Sequence, residues 1–185
     1  MADRQVVEFG LDYIADTGTL SHMLGKECDF KHESKSGNTV TPLSQARVKA
    51  RFVANLEGSS LTKRMVVKWK TTVGEGVEIA DDGDKPAGVV SPMITTTVPN
   101  GSYFWMVYDG PAEIISDGSG VLGLGDLVVT AGSGTGKVNK QTAAPADTTA
   151  AMVQVNSVVG TVMESITNVD GTTGACWIHV GRAAP

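Results

Sequence analysis

The chain has 185 residues, 41% of them hydrophobic and 19% charged, with a formal net charge of −5. That is apolar material enough for one core and an appendage, which excludes a fully disordered chain. No apolar run nears the ~20 residues of a membrane-crossing helix, so a soluble protein with no membrane partner is expected.

Asp3, Arg4 and Glu8 stand where a secretory leader would carry its apolar segment. Two cysteines, Cys28 and Cys176, make no disulfide framework. Both features suggest synthesis in a cytoplasm with reduced thiols. The charge is divided along the chain: residues 1–70 hold eleven Lys/Arg against eight Asp/Glu, and residues 71–185 hold four against twelve. Such asymmetry marks an arm attached to a body.

Residues 1–45 read as that arm. Their apolar residues (Val6, Val7, Phe9, Leu11, Tyr13, Ile14) are too scattered for a core of their own. His22, Cys28 and His32, with Asp29 and Glu33 nearby, suggest zinc. A structural zinc site, however, wants four ligands from paired short spacings, and one cysteine lies here. A polar arm without metal is the expectation.

The body, residues 46–185, opens with period-two patterning. Arg47, Lys49 and Arg51 alternate with Val48, Ala50 and Phe52, which puts three cations on one face of a strand. A second such strand over 62–70 sets Arg64, Lys68 and Lys70 on a face with Val66, opposite Met65, Val67 and Trp69. Further strands are predicted near 77–80, 87–94, 102–108, 112–116, 126–130, 136–140, 151–155, 158–166 and 174–180. Asp82-Gly83, Asn100-Gly101, Asp109-Gly110, Asp117-Gly118 and Asp170-Gly171 are read as the reversals between them. With twenty-two glycines and no helical periodicity, the class is all-β, a small barrel or sandwich. Gly88, Val90 and Trp105 recur 72 residues later as Gly160, Val162 and Trp177, and Met65-Val66-Val67 resembles Leu127-Val128-Val129 at 62. This spacing suggests two related halves, with the ten-residue difference absorbed in the loop from Gln141 to Ala151.

Few residues suggest chemistry. Ala131-Gly-Ser-Gly-Thr-Gly-Lys-Val138 resembles a phosphate-cradling loop, but Ala131 stands for its first glycine and Val138 for its Mg²⁺-binding hydroxyl. A hairpin tip is expected there. Asp81-Asp82-Gly83-Asp84 lacks the spacing of a calcium loop and reads as a solvated turn. His179 and Cys176 lie on the last strand without a partner constellation, and no nucleophile elbow occurs. No enzyme activity and no cofactor are expected. The six cations Arg47, Lys49, Arg51, Arg64, Lys68 and Lys70 could meet nucleic acid, yet Phe52 and Trp69 fall on the opposite faces, whereas a single-strand binder presents aromatics and cations together. Docking on an acidic protein surface is the functional reading of those faces.

Five stretches, KPAGVVSPM (85–93), GSYFWMVYDGPAEI (101–114), GDLVVTAGSGTGKVNK (125–140), VVGTVMESI (158–166) and GACWIHVG (174–181), resemble the capsid decoration, or cement, proteins of tailed bacteriophages. The resemblance covers about residues 61–181, and residues 1–60 match nothing. It implies a small β-barrel or β-tulip body with no catalytic residues. It also implies a non-enzymatic homo-oligomer (trimer or dimer) made in the host cytoplasm, which binds the outside of a mature shell and clamps major capsid protein subunits. A phage spike or fibre-associated β domain that binds host glycans is the alternative, and a nucleotide-binding enzyme using 131–138 a weaker one.

Overall fold

The structure, a computed structural model, describes residues 10–16, 20–36, 39–70, 74–118, 121–132, 134–141, 148–163 and 175–181. Their strands are β1 (Ile14–Ala15), β2 (Glu27–Ser36), β3 (Thr39–Asn55), β4 (Val66–Trp69), β5 (Gly76–Ile79), β6 (Gly88–Val90), β7 (Tyr103–Ile115), β8 (Leu127–Ala131), β9 (Lys137–Lys140), β10 (Val158–Val162) and β11 (Ala175–Val180). One helix, α1 (Thr148–Asn156), and a 3-10 turn at Ser21–Met23 complete them. The fold is all-β: one mixed sheet in the order β2-β3-β5-β4-β6-β7-β11-β10-β8-β9, with β1 laid on β7.

The latter part of that order is palindromic, β5-β4-β6-β7 followed by β11-β10-β8-β9, and the register shows why. Val67 pairs with Ile79 and Gly88 in the first half, and Val128 pairs with Lys140 and Gly160 in the second. Counterparts thus lie 61 residues on at β4 and β5 (67 to 128, 79 to 140) and 72 on at β6 (88 to 160). Val89↔Val107 and Val90↔Met106 likewise become Thr161↔His179 and Val162↔Ile178. A side chain on Gly88 would strike the Val107 carbonyl, and one on Gly160 the His179 carbonyl, again a matched pair. Even the turns repeat: Asn55 Oδ1 accepts from Glu57 N–H, and Ser116 Oγ from Gly118 N–H. The chain is therefore a tandem duplication, with β3 to the start of β7 as repeat 1 and the end of β7 to β11 as repeat 2. The offset from β4 to β8 is 61, not the 62 that aligning Met65 with Leu127 suggests. The eleven-residue difference between 61 and 72 falls between β9 and β10, where α1 sits.

In each repeat the pairings close on themselves. β3 pairs with β7 and also, in parallel, with β5 through Ala54↔Gly76 and Asn55↔Val77. In repeat 2 a single bridge, Ser116↔Val138, makes the corresponding closure. These closures are so brief that neither ring is a clean barrel. Phe104 and Met106 point into the core of repeat 1 with Val53, Val67 and Val77. Their strand neighbours Trp105 and Val107 share the opposite face with Ala112 and Ile114, which belong to the second core. The two cores thus lie on opposite faces of β7.

Three expectations are corrected. Asp109-Gly110 is not a reversal: β7 runs through it as one strand, with the register against β3 shifting between Lys49 and Ala50. The residue that the register skips there is Tyr108, and Gly110, at φ 101°, follows it where the strand passes from β3 to β11, a positive φ that a strand bend uses as readily as a hairpin does. Residues 151–155 lie in α1, not in a strand, in keeping with the helix propensity of Ala150 and Ala151. Arg64, at φ 73°, precedes β4 and Lys70 follows it, so of the three cations only Lys68 lies on that strand. The Asp170-Gly171 reversal lies outside the described residues. The boundary drawn at 45/46 falls within β3, which with β2 forms a long hairpin. Leu11, Ala15 and Met23 are buried against the Phe52 and Trp105 face of repeat 1, and few apolar residues suffice there because they cover a wall already built. Among the described residues no helix is long and apolar enough to cross a membrane.

Candidate functional site

The cationic strands are the surface that sequence singles out. Strand β3 carries Arg47, Lys49 and Arg51 on the face away from Val48, Ala50 and Phe52, which are buried. The division of charge along the chain resolves internally. Lys49 Nζ lies 3.2 Å from Asp109, Arg51 2.8 Å from Glu75, and Arg64 2.6 Å from Glu113. Lys68 sits among Asp84 (2.7 Å), Glu78 (3.7 Å) and Asp81 (3.8 Å), and Lys70 reaches Glu78 at 3.4 Å. The bond to Asp84 raises the Lys68 pKa above its ordinary value of 10.5. The Arg51 guanidinium also stacks 5.4 Å over Trp69, so this aromatic of β4 serves a cation of β3, with β5 between the two strands, while Phe52 is wholly in the core.

Arg47 is different. It is exposed, has no ion pair among the described residues, and stands directly opposite Lys31 of β2, also exposed. The next pairs of the same ladder are Asp29↔Lys49 and Glu27↔Arg51, opposite charges in both cases. Like charges directly opposed in a sheet are destabilising, so Lys31 and Arg47 form a cationic spot that the fold itself does not neutralise.

The glycine-rich segment 131–138 is the tip of the β8–β9 hairpin, and it docks on repeat 1. Val66 N–H donates to the Gly136 carbonyl (2.8 Å), Asp82 N–H to the Gly132 carbonyl (2.8 Å), and Gly134 N–H to the Asp81 carboxylate. Lys137 leads into strand β9, where a phosphate-cradling loop would lead into a helix. The acidic turn 81–84 is thus partner to this tip and to Lys68.

The other singled-out residues lie apart. His22 is exposed on the 3-10 turn, Cys28 is half-buried, and His32 is buried edge-on to Trp177 at 4.8 Å between ring centroids. Among the described residues no group of three or more His, Cys, Asp or Glu is placed to hold a metal ion. His179 is exposed, 3.9 Å from Asp109; the Cys176 side chain lies outside those described. Burial holds the His32 imidazole below its ordinary pKa of 6.5. Below that pH the unfolded chain binds a proton that the folded one resists, so stability is full above 6.5 and is lost as pH falls below it. The loss of Tm between about pH 7.5 and 5.5 is expected to be smaller in His32→Gln than in the parent; an equal loss would show that His32 does not titrate in this way.

No protein-family model matches the sequence, and no curated protein matches it. Among solved structures, the chain is similar to the N base of head fibre gp8.5 of bacteriophage phi29, a distant likeness with 14% identity and a TM-score of 0.47. The match covers 74% of this chain and 96% of that one.

Proposed function

We propose that this chain is a structural protein of a tailed-phage virion, a cement protein that binds major capsid protein on the outside of the mature shell. One observation carries the reading: the stretches that resemble cement proteins are strands of the duplicated unit. KPAGVVSPM holds β6, GSYFWMVYDGPAEI most of β7, GDLVVTAGSGTGKVNK the whole β8–β9 hairpin, and VVGTVMESI and GACWIHVG hold β10 and β11. The resemblance therefore rests on the framework of the fold and on matched positions within it. A cement needs contacts that exist only on the expanded shell, and each bound copy then adds to shell stability by linkage.

Five of the six cations support the body internally, so docking through charge falls to Arg47 with Lys31. Cosedimentation with mature shells lacking this protein, beside precursor shells, tests both levels. Binding to mature shells alone, with a raised shell melting temperature, is the expected result. Lys31→Glu with Arg47→Glu should reduce occupancy at low salt while the fold persists, since no ion pair is broken. No binding to either shell would remove the cement reading, and binding to host glycans instead would favour a spike or fibre base. Unchanged occupancy in the double variant would remove only the electrostatic docking.

A further inference from the structure

The two repeats differ in what covers one matching segment, and from that difference we infer a self-association surface: the open face bearing Val121, Leu124, Leu127 and Met163 binds a second copy of this chain. The inference stands without the cement reading. In repeat 1 the segment Arg64–Val66 is an interface with repeat 2. Arg64 is bonded to Glu113, Val66 N–H to the Gly136 carbonyl, and the Val66 side chain has no exposure. Its counterpart 61 residues on is Gly125–Leu127. The internal bonding is identical, for Arg64 N–H meets the Val90 carbonyl as Gly125 N–H meets that of Val162. Yet Leu127, in the place of buried Val66, is 43% exposed.

Around it repeat 2 has become more apolar. Val121 replaces Ser60, Leu124 replaces Lys63 and Met163 replaces Ser91, and these three are 51%, 72% and 43% exposed. Three of these side chains are placed together by the register, and Val121 lies three residues before Leu124 in the same loop. Leu127 stands opposite Thr161, two residues from Met163 on the same face, and Leu124 precedes Gly125, which is bonded to Val162. Clustered apolar exposure of this kind marks an interaction surface.

The occupant follows from the duplication. Within the chain, the Arg64–Val66 part of this surface in its repeat 1 form is covered by another unit of the same fold, and a second chain is the source of a further such unit. Charge does not oppose the contact. Asp126, the acid within the patch, is held by Lys140 at 2.8 Å and by Gly123 N–H, so two chains of net charge −5 meet there without facing unpaired carboxylates.

The test is the triple variant Val121→Ser, Leu124→Lys, Met163→Ser, which installs the residues that repeat 1 carries in the same fold. Sedimentation velocity over a dilution series should show the parent as a dimer or larger and the variant at the 19.3 kDa of one chain, with circular dichroism and Tm unchanged. A parent that stays monomeric, or a folded variant of unchanged mass, would overturn the proposal. So would a monomeric parent whose binding to shells is lost in the variant, since the patch would then face the shell. If the triple variant fails to fold, Met163→Ser alone supplies the same comparison, with a weakened self-association constant expected and an unchanged one overturning it.

Discussion

Alanine at Gly110 is expected to cost about 3–5 kcal/mol, a large part of the stability of a domain this size. Two effects add. At φ 101° an L side chain is strained wherever it points. The new methyl would also press into the Arg47 carbonyl oxygen and lie 3.2 Å from Val48 Cα, both of them backbone of β3, which cannot rotate away. Gly58→Ala separates the two effects. Gly58 has φ 90° and nothing within 4 Å of the added methyl, so it should lose only the conformational cost, about 1–2 kcal/mol. Urea unfolding of both variants reads the difference, and equal losses would show that β3 gives way at the bulge and that crowding adds nothing.

Trp105→Ala should cost about 3–5 kcal/mol, and Trp177→Ala, at the matching place in repeat 2, markedly less. Trp105 is 1% exposed, with Phe52 at 5.0 Å and Phe30 at 5.1 Å between ring centroids, so its removal leaves a void between the first repeat and the N-terminal hairpin. Trp177 is half-buried; water reaches the space it leaves and no closed cavity forms. Its counterpart neighbours are polar: Glu113 stands where repeat 1 has Phe52, and His179 where it has Val107. Chemical denaturation of the two variants decides. A larger loss at Trp177 would mean that the second repeat, not the first, holds the fold together.

Much of this architecture was legible in the sequence because its signals are local. Alternation at Arg47–Phe52 marks a strand and its cationic side, and Asp82-Gly83, Asn100-Gly101 and Asp117-Gly118 mark turns through their positive φ. Gly110 carries the same signal, but a positive φ does not say whether the chain reverses or bulges; the partner strand decides that. The repeat was visible at Gly88 and Gly160 because both sit where a carbonyl of the adjacent strand leaves no room for a side chain. The one-residue error upstream arose from matching Val for Val, where hydrogen-bond register sets the correspondence. What the cations do was not legible. Arg51, Arg64 and Lys68 find their carboxylates 24, 49 and 16 residues away, across pairings that no local pattern encodes. The docking of Leu11, Ala15 and Met23 depended likewise on a wall made by residues about thirty to ninety-five positions later.

Strand β7 ends one repeat and begins the next without a linker, and this makes the protein a strut. Units joined by a loose connector can swivel. Here the ladders to β3 and β6 end by Asp109 and the ladder to β11 begins at Gly110, so what opposes swivelling is the contact across the junction, with the β8–β9 tip bonded to Val66 and Asp82 and Arg64 bonded to Glu113. A load placed on one repeat is therefore delivered to the other both along the continuous backbone of β7 and through these lateral contacts.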